Sequence, residues 1–586
     1  MDGRQSGCYA SEPGPPRPRG QRGAGLDSFG ASTFLTGEPS SAPEFPALRS
    51  RRWGIGILVI ALAPSLVSIW GVPLFVTQDG PAHLYNAHIL ERSRSPDSPF
   101  HPFYSVRWEP LPNWAGHLAT MGLVSIMPAR QADRVILSVT LVGFAASMAW
   151  LRLRVEGWRG MPLASLLAAL LSMNVAWLFG FTSFLLGACL FAITLGVWWE
   201  GRERPRIGRA VALAVLLVCG YFAHLVSLGL TVVGLAILTA LTPGERRTAR
   251  AGMTAASLVP LVPLGLFYLR LSGRGGPLHA EWEHRVSPFS IRSWVDRLGW
   301  VDPISLASRL SLPFLESKSW AFGMLAPVVL GTAAMAILVA STLWNARRER
   351  ADSLRERRGW LVLAALLLLG GMAGPDSLGT GHGHYLPQRV SLLGLVALIP
   401  ALDLDLRRTA GRAAGVALAG AIALQSAFVW DYALTSTRMV GELMRARGAV
   451  GRRQRVAVLS IGGGGRFRAD PLRHAGNLFG IGTGSVIWNN YETAHYYFPV
   501  QLAAGIEGPS PIELEWVALH DDPRDAEERA GRWHELLRRH HSEIDRLVVR
   551  GTDPELDAIS ARLFDTVFRD GKVRVMRPRI DDAGPR

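Results

Sequence analysis

The sequence predicts an α-helical polytopic membrane protein, of about 11 transmembrane helices, with a C-terminal extracytoplasmic α/β domain. Three observations predict it. The apolar residues, 49% of the 586, fall in long blocks of the ~20 residues that cross a bilayer. The arginines cluster in short stretches between those blocks, as residues that orient helices do. After residue 432 the blocks stop, and short strand-like runs around an amphipathic helix replace them.

The chain opens with a leader, residues 1–49, rich in Gly, Pro, Ser and Arg and expected to be disordered. It lacks the layout of a signal peptide, because the first apolar run starts only after Arg49, Arg51 and Arg52 and is too long for one. The membrane domain is expected over 50–432. Its candidate spans are 54–76, 134–151, 161–180, 181–199, 208–223, 224–242, 252–270, 320–344, 359–374, 389–405 and 412–431. The pairs 161–199 and 208–242 abut without a loop and are expected as tight hairpins.

Orientation follows from arginine. Arg49, Arg51 and Arg52 put the N-terminus in the cytoplasm. Alternation then places Arg152, Arg202, Arg246, the run "RRERADSLRERR" (347–358) and Arg407 inside, each within a basic cluster. The short outer connections near 180, near 223 and at 375–388 contain no arginine. The loops 77–133, 271–319 and 375–388 and the tail 433–586 therefore face outward. Arginine almost without lysine, with heavy Ala and Gly use, points to a GC-rich bacterial genome and so to a bacterial inner (plasma) membrane. The formal charge of +15 is used up in orienting clusters, so no nucleic acid partner is implied. Cys8, Cys189 and Cys219 give neither a disulfide pattern nor a CxxC metal motif.

Inside the first outer loop, "NWAGHLATMGLVSIMP" (113–128) is too short to span and is expected along the interface. In the tail, "RVAVLSI" (455–461), "IDRLVVRG" (544–551) and "GKVRVM" (571–576) are predicted strands and 523–541 an amphipathic helix. At roughly 150 residues the tail has the usual size of an independently folding unit.

The chemistry-bearing residues gather on the outer side. "FVTQDGPAHLYNAHILERS" (75–93) leaves the first span and at once presents Gln78, Asp79, His83, Asn86 and His88. Asp79 is placed to cap the next helix, with Pro81 in its first turn. Capping leaves His83 unexplained: it shares a helix face with Asp79, and the pair suits proton abstraction or divalent-metal binding. Loop 375–388 carries His382 and His384, and Arg389 then opens a span at the outer surface, where it can hold a phosphate. In "GPLHAEWEHR" (276–285), His279, Glu281, Glu283 and His284 could ligate a metal or hold a sugar, with Trp282 to stack on it, but the stretch is more simply a solvated loop. His224 lies within or at the tip of an apolar hairpin, and a histidine in a span is costly unless it faces the bundle interior. "IGGGGR" (461–466) and "GIGTGS" (480–485) do not form the GxGxxG dinucleotide fingerprint.

This order of parts resembles the GT-C glycosyltransferases. "TQDGPAHLYNA" (77–87), "GFTSFLLG" (180–187), "YFAH" (221–224) and "WNNYETAHYYFPV" (488–500) are similar to those of a bacterial group of GT-C-like membrane proteins. The resemblance implies transfer of a sugar from a polyprenyl-phosphate carrier to an acceptor on the outer face, with membrane lipids as surroundings. It implies that Asp79, aided by His83, activates the acceptor, and that Arg389, with His382, His384, His224 and Asn86, holds the donor. The acidic pair usual in the family is not kept, since Gln78 and Gly80 flank Asp79, so a divalent metal ion stays an open question. Two rivals remain: a transporter of a lipid-linked or anionic solute, which would place charges or breaks in mid-span, and a non-catalytic cell-envelope scaffold.

Overall fold

In the computed structural model of the chain, residues 44–304, 319–348, 351–379, 383–463, 467–520 and 523–579 are described. The leader before residue 44, His382 and residues 305–318 of the second outer loop lie outside them. The helices are α1 (Glu44–Gly71), α2 (Gly80–Arg92), α3 (Ala115–Val124), α4 (Ala129–Glu156), α5 (Met161–Ser172), α6 (Val175–Phe179), α7 (Thr182–Gly201) and α8 (Ile207–Ala223). They continue as α9 (Leu225–Leu241), α10 (Arg247–Leu258), α11 (Leu261–Ser272), α12 (Ile291–Val301), α13 (Ser319–Arg348), α14 (Ala351–Ala373), α15 (Leu386–Leu398) and α16 (Thr409–Met444).

The protein is a multi-pass membrane protein. Among the described residues, six helices are long and apolar enough to cross a bilayer, or seven if α10 and α11, bent by 48° at Pro260, count as one span. Both expected hairpins are present, the first turning at Gly180 between α6 and α7 and the second at His224 between α8 and α9. In the core, α4 packs on α7, α13 on α16 and α14 on α15. Two arginines of the basic clusters face inward. Arg152, 1% exposed, donates to the carbonyls of Ile399, Pro400 and Leu402. Arg250 does the same at the end of α9, on Thr242 and Pro243. Both satisfy carbonyls that a helix end leaves open.

The strands are β1 (Tyr104–Val106), β2 (Arg455–Ser460), β3 (Val486–Ile487), β4 (Val500–Leu502), β5 (Arg546–Arg550), β6 (Phe564–Asp570) and β7 (Val573–Pro578). Five form one sheet in the order β3-β2-β5-β7-β6, with β3, β2 and β5 parallel and the last two antiparallel. Successive residues of a strand point to opposite faces. Val456, Val458 and Val548 therefore pack with Tyr85 and Ile89 of α2 and with Val440 and Leu443 of α16. Ala457, Leu459, Leu547 and Val549 pack with Trp533 and Leu537 of the helix Ala526–His540 and with Leu556 of the helix Pro554–Leu563.

The segment 77–133 thus supplies one cover of the tail's sheet. A second bond between them is the antiparallel pair β1–β4, from Tyr104 opposite Leu502 to Val106 opposite Val500. The expected boundary at 432/433 falls inside α16, which runs unbroken to Met444. Residues 45–586 form one compact unit.

Candidate functional site

Asp79 is fixed by its backbone. The chain leaving α1 runs against the end of α6, where the N–H groups of Gln78 and Asp79 donate to the carbonyls of Leu178 and Phe179. Gly180 makes this approach possible: its φ is +80°, and a Cβ there would lie 2.7 Å from Thr77 Oγ1 and 2.9 Å from the Gly80 nitrogen. Asp79 occupies the N-cap position of α2, but its side chain makes no cap hydrogen bond. The expected capping role is corrected accordingly. The carboxylate, 8% exposed, instead takes the Gln78 amide at 3.3 Å and faces His474 Nε2 and the Tyr491 hydroxyl, each at 3.5 Å.

His83 lies one turn on, but its partner is not Asp79. His83 Nδ1 is 2.5 Å from Glu492 Oε1, and His117 Nε2 of α3 is 2.7 Å from Glu492 Oε2. The two rings meet edge to face at 5.2 Å and are covered by Phe498. Burial favours the neutral form of the Glu492 carboxyl, yet His117 and His83 hold it down at about 2. Burial likewise opposes a charged His83, and Glu492 outweighs it, so the His83 pKa is raised.

Glu492 is placed by the asparagines before it. Asn489 bonds both backbone groups of Val458 on β2, acting as one more strand residue. Asn490 exchanges two amide hydrogen bonds with Asn86, at 2.8 and 2.9 Å, and both residues are shut off from solvent. Asn86 is therefore a buried lock between α2 and the tail; the expectation that it touches substrate gives way to that role, because its amide has no free face.

Around Asp79 the tail adds a second layer. His474 stacks on Tyr491 at 4.4 Å. Burial lowers the His474 pKa, with Asp79 and Glu515 opposing. Arg473 pairs with Glu515, which a short helix, Pro511–Leu519, presents after capping by Ser510. Asp470, Arg473, His474 and Glu515 also line a cleft beyond the carboxyl end of β2.

Arg389 lies near the start of α15. Its Nη1 donates to His224 Nε2 at 3.3 Å, and its guanidinium sits over Phe181 at 4.7 Å and Phe184 at 5.5 Å. Tyr497 feels the charges of both sides of the site. Burial pushes that hydroxyl up, Arg389 pulls it down, and Glu492 and Asp79 raise it further. Asp79, through its bond to Phe179, and Arg389 with His224, over Phe181, thus adjoin one aromatic group of Phe179, Phe181 and Tyr385. His384 is exposed.

The stretch 276–285 is largely exposed, as expected of a solvated loop, and is tied down on one side. Glu281 forms a β-bridge with Ser377, and Asp376 accepts from the Glu283 and His284 N–H groups and from Arg297 Nη1 at 2.5 Å. Sequence reasoning missed His117, Glu492, His474, Tyr491, Arg473 and Glu515. For Glu492 a signal existed, a lone carboxylate in the aromatic run "WNNYETAHYYFPV"; for the others none did.

No protein-family model matches the chain, and no curated protein matches it. Among solved structures it is similar to the cryo-EM structure of the arabinofuranosyltransferase AftD from Mycobacteria, with 15% identity and a TM-score of 0.48 over 91% of this chain. The chain spans only 40% of that protein. It is similar also to the crystal structure of ArnT from Cupriavidus metallidurans in the apo state, with 16% identity and a TM-score of 0.43 over 92% of this chain and 100% of the other.

Proposed function

We propose that the protein is a membrane glycosyltransferase that moves a sugar from a polyprenyl-phosphate carrier to an acceptor hydroxyl on the outer face of a bacterial inner membrane. One observation carries the proposal: the carboxylate-bearing Asp79 and the guanidinium of Arg389 sit on one aromatic group, since the Asp79 N–H donates to the Phe179 carbonyl, Phe179 packs on Phe181 at 5.2 Å and Arg389 lies over Phe181 at 4.7 Å. A base and an anion-binding group on one site are what such a reaction requires.

In the proposed step the acceptor hydroxyl gives its proton to the Asp79 carboxylate while its oxygen attacks C1 of the sugar. The bond from C1 to the phosphate oxygen breaks, and the electron pair leaves with the lipid phosphate. Arg389, held by His224 and two phenylalanine rings, stabilises the charge that develops there, which is where a contact accelerates a reaction. Tyr491 and His474 hold the Asp79 carboxylate in position.

The test is transfer from a polyprenyl-phosphate sugar by purified variants. Asp79→Asn keeps size and hydrogen-bond acceptance but removes the proton acceptor. General-base catalysis contributes about a hundredfold or more, so transfer is expected to fall at least that far with unchanged abundance. Arg389→Gln is expected to lose comparable activity. Full transfer by Asp79→Asn overturns the proposal.

A further inference from the structure

We infer that His83, His117 and Glu492 form a binding site for one divalent transition-metal ion of the zinc class. His83 Nδ1, His117 Nε2 and a Glu492 oxygen lie within 4.8 Å of one another, close enough for one ion to reach all three. Two come from the neighbouring helices α2 and α3, and the third from the tail's turn Tyr491–Ala494, 409 and 375 residues further along the chain from His83 and His117. Glu492 is fully buried, the His117 side chain is 2% exposed and that of His83 19%. The site therefore has two closed ligands and one at its rim.

Charge supports the assignment. A carboxylate buried this deeply needs a cation or strong donors beside it. The groups beside Glu492 are the two imidazoles, His83 Nδ1 at 2.5 Å and His117 Nε2 at 2.7 Å. A dication set between the two nitrogens and the carboxylate would be bound by all three at once. Two imidazoles and one carboxylate select zinc and its first-row neighbours, because magnesium and calcium take oxygen ligands. Three protein ligands also leave a coordination position open, as in sites where a metal binds water or substrate. The ligand set excludes Asp79, so the site stands apart from the proton-accepting role proposed above and does not depend on it.

The competing reading is a hydrogen-bonded His–Glu–His cluster that holds only protons. Metal analysis of the full chain, purified in detergent without a polyhistidine tag, separates the two. We expect about one equivalent of a zinc-class metal per chain, lost to background in Glu492→Gln and retained in Asp79→Asn. Chelation is expected to lower the melting temperature, with recovery on adding Zn²⁺ and not Mg²⁺. His83→Gln, at the exposed rim, tests the site should Glu492→Gln fail to fold: zinc binding is expected to weaken about tenfold or more, as loss of a metal-site interaction does. A metal-free wild-type protein whose melting is unmoved by micromolar Zn²⁺ overturns the inference. So does zinc bound equally well by His83→Gln.

Discussion

At Gly180 a single missing side chain sets the position of the proposed base. A Cβ there would press on Thr77 and on the Gly80 nitrogen, and the backbone is left-handed at φ +80°. Gly180→Ala is expected to cost roughly 1–2 kcal/mol for the left-handed conformation alone, and more for the contact. Because Asp79 is hydrogen-bonded to Phe179, next to this glycine, transfer should fall together with the melting temperature. His88 gives a prediction for pH. Burial, with some help from Arg92, lowers its pKa from 6.5 to about 4, and its Nε2 accepts from the Gly482 N–H. A histidine whose folded pKa is depressed gives full stability above about pH 6.5 and loses it as pH falls toward 4, by roughly 3 kcal/mol at most. Thermal melts of the wild type and of His88→Gln, which keeps an acceptor, isolate this group. The wild type should lose more stability than the variant between those two pH values, and equal losses would refute the assignment.

At the scale of elements, α2 does two things at once. One side carries Asp79 and His83 into the site, and the other places Tyr85 and Ile89 on the sheet of the tail. The tail's size and strand pattern suggest an independent unit, but one face of its sheet is closed by α2 and by the end of α16. A fragment starting at residue 450 would expose Val456, Val458, Val548 and Val575, all 5% exposed or less in the intact chain. It is therefore expected to be insoluble or to melt without cooperativity. A fusion that restores residues 77–133 and the end of α16 should recover solubility. A soluble, cooperatively melting fragment from 450 alone would show that the sheet can do without its cover.

For the whole molecule, the arginine clusters predict that an extracytoplasmic reporter fused after residue 586 is active and one at about residue 352 is silent. The reverse pattern would turn the site toward the cytoplasm and remove the proposed lipid-linked donor from reach. The apolar blocks, the two tight hairpins and the three tail strands were legible in the sequence, because hydrophobic runs and alternation depend on neighbours along the chain. So was the placement of Asp79, Arg389 and His224, as polar residues set at the edge of apolar segments. The partner of His83 was not legible. Helical periodicity placed it beside Asp79, whereas Glu492, some four hundred residues on, lies closer in space and takes its Nδ1. Nor could spacing tell that Asn86 faces Asn490 or that Arg152 points inward to helix-end carbonyls. The sequence by itself determined which segments are apolar enough to enter a membrane and where polar groups leave it, because burial against lipid follows local composition. Tertiary structure alone decided which carboxylate meets which imidazole. Those pairs are chosen by the docking of the tail on the first outer loop, a contact between distant segments that no local pattern records.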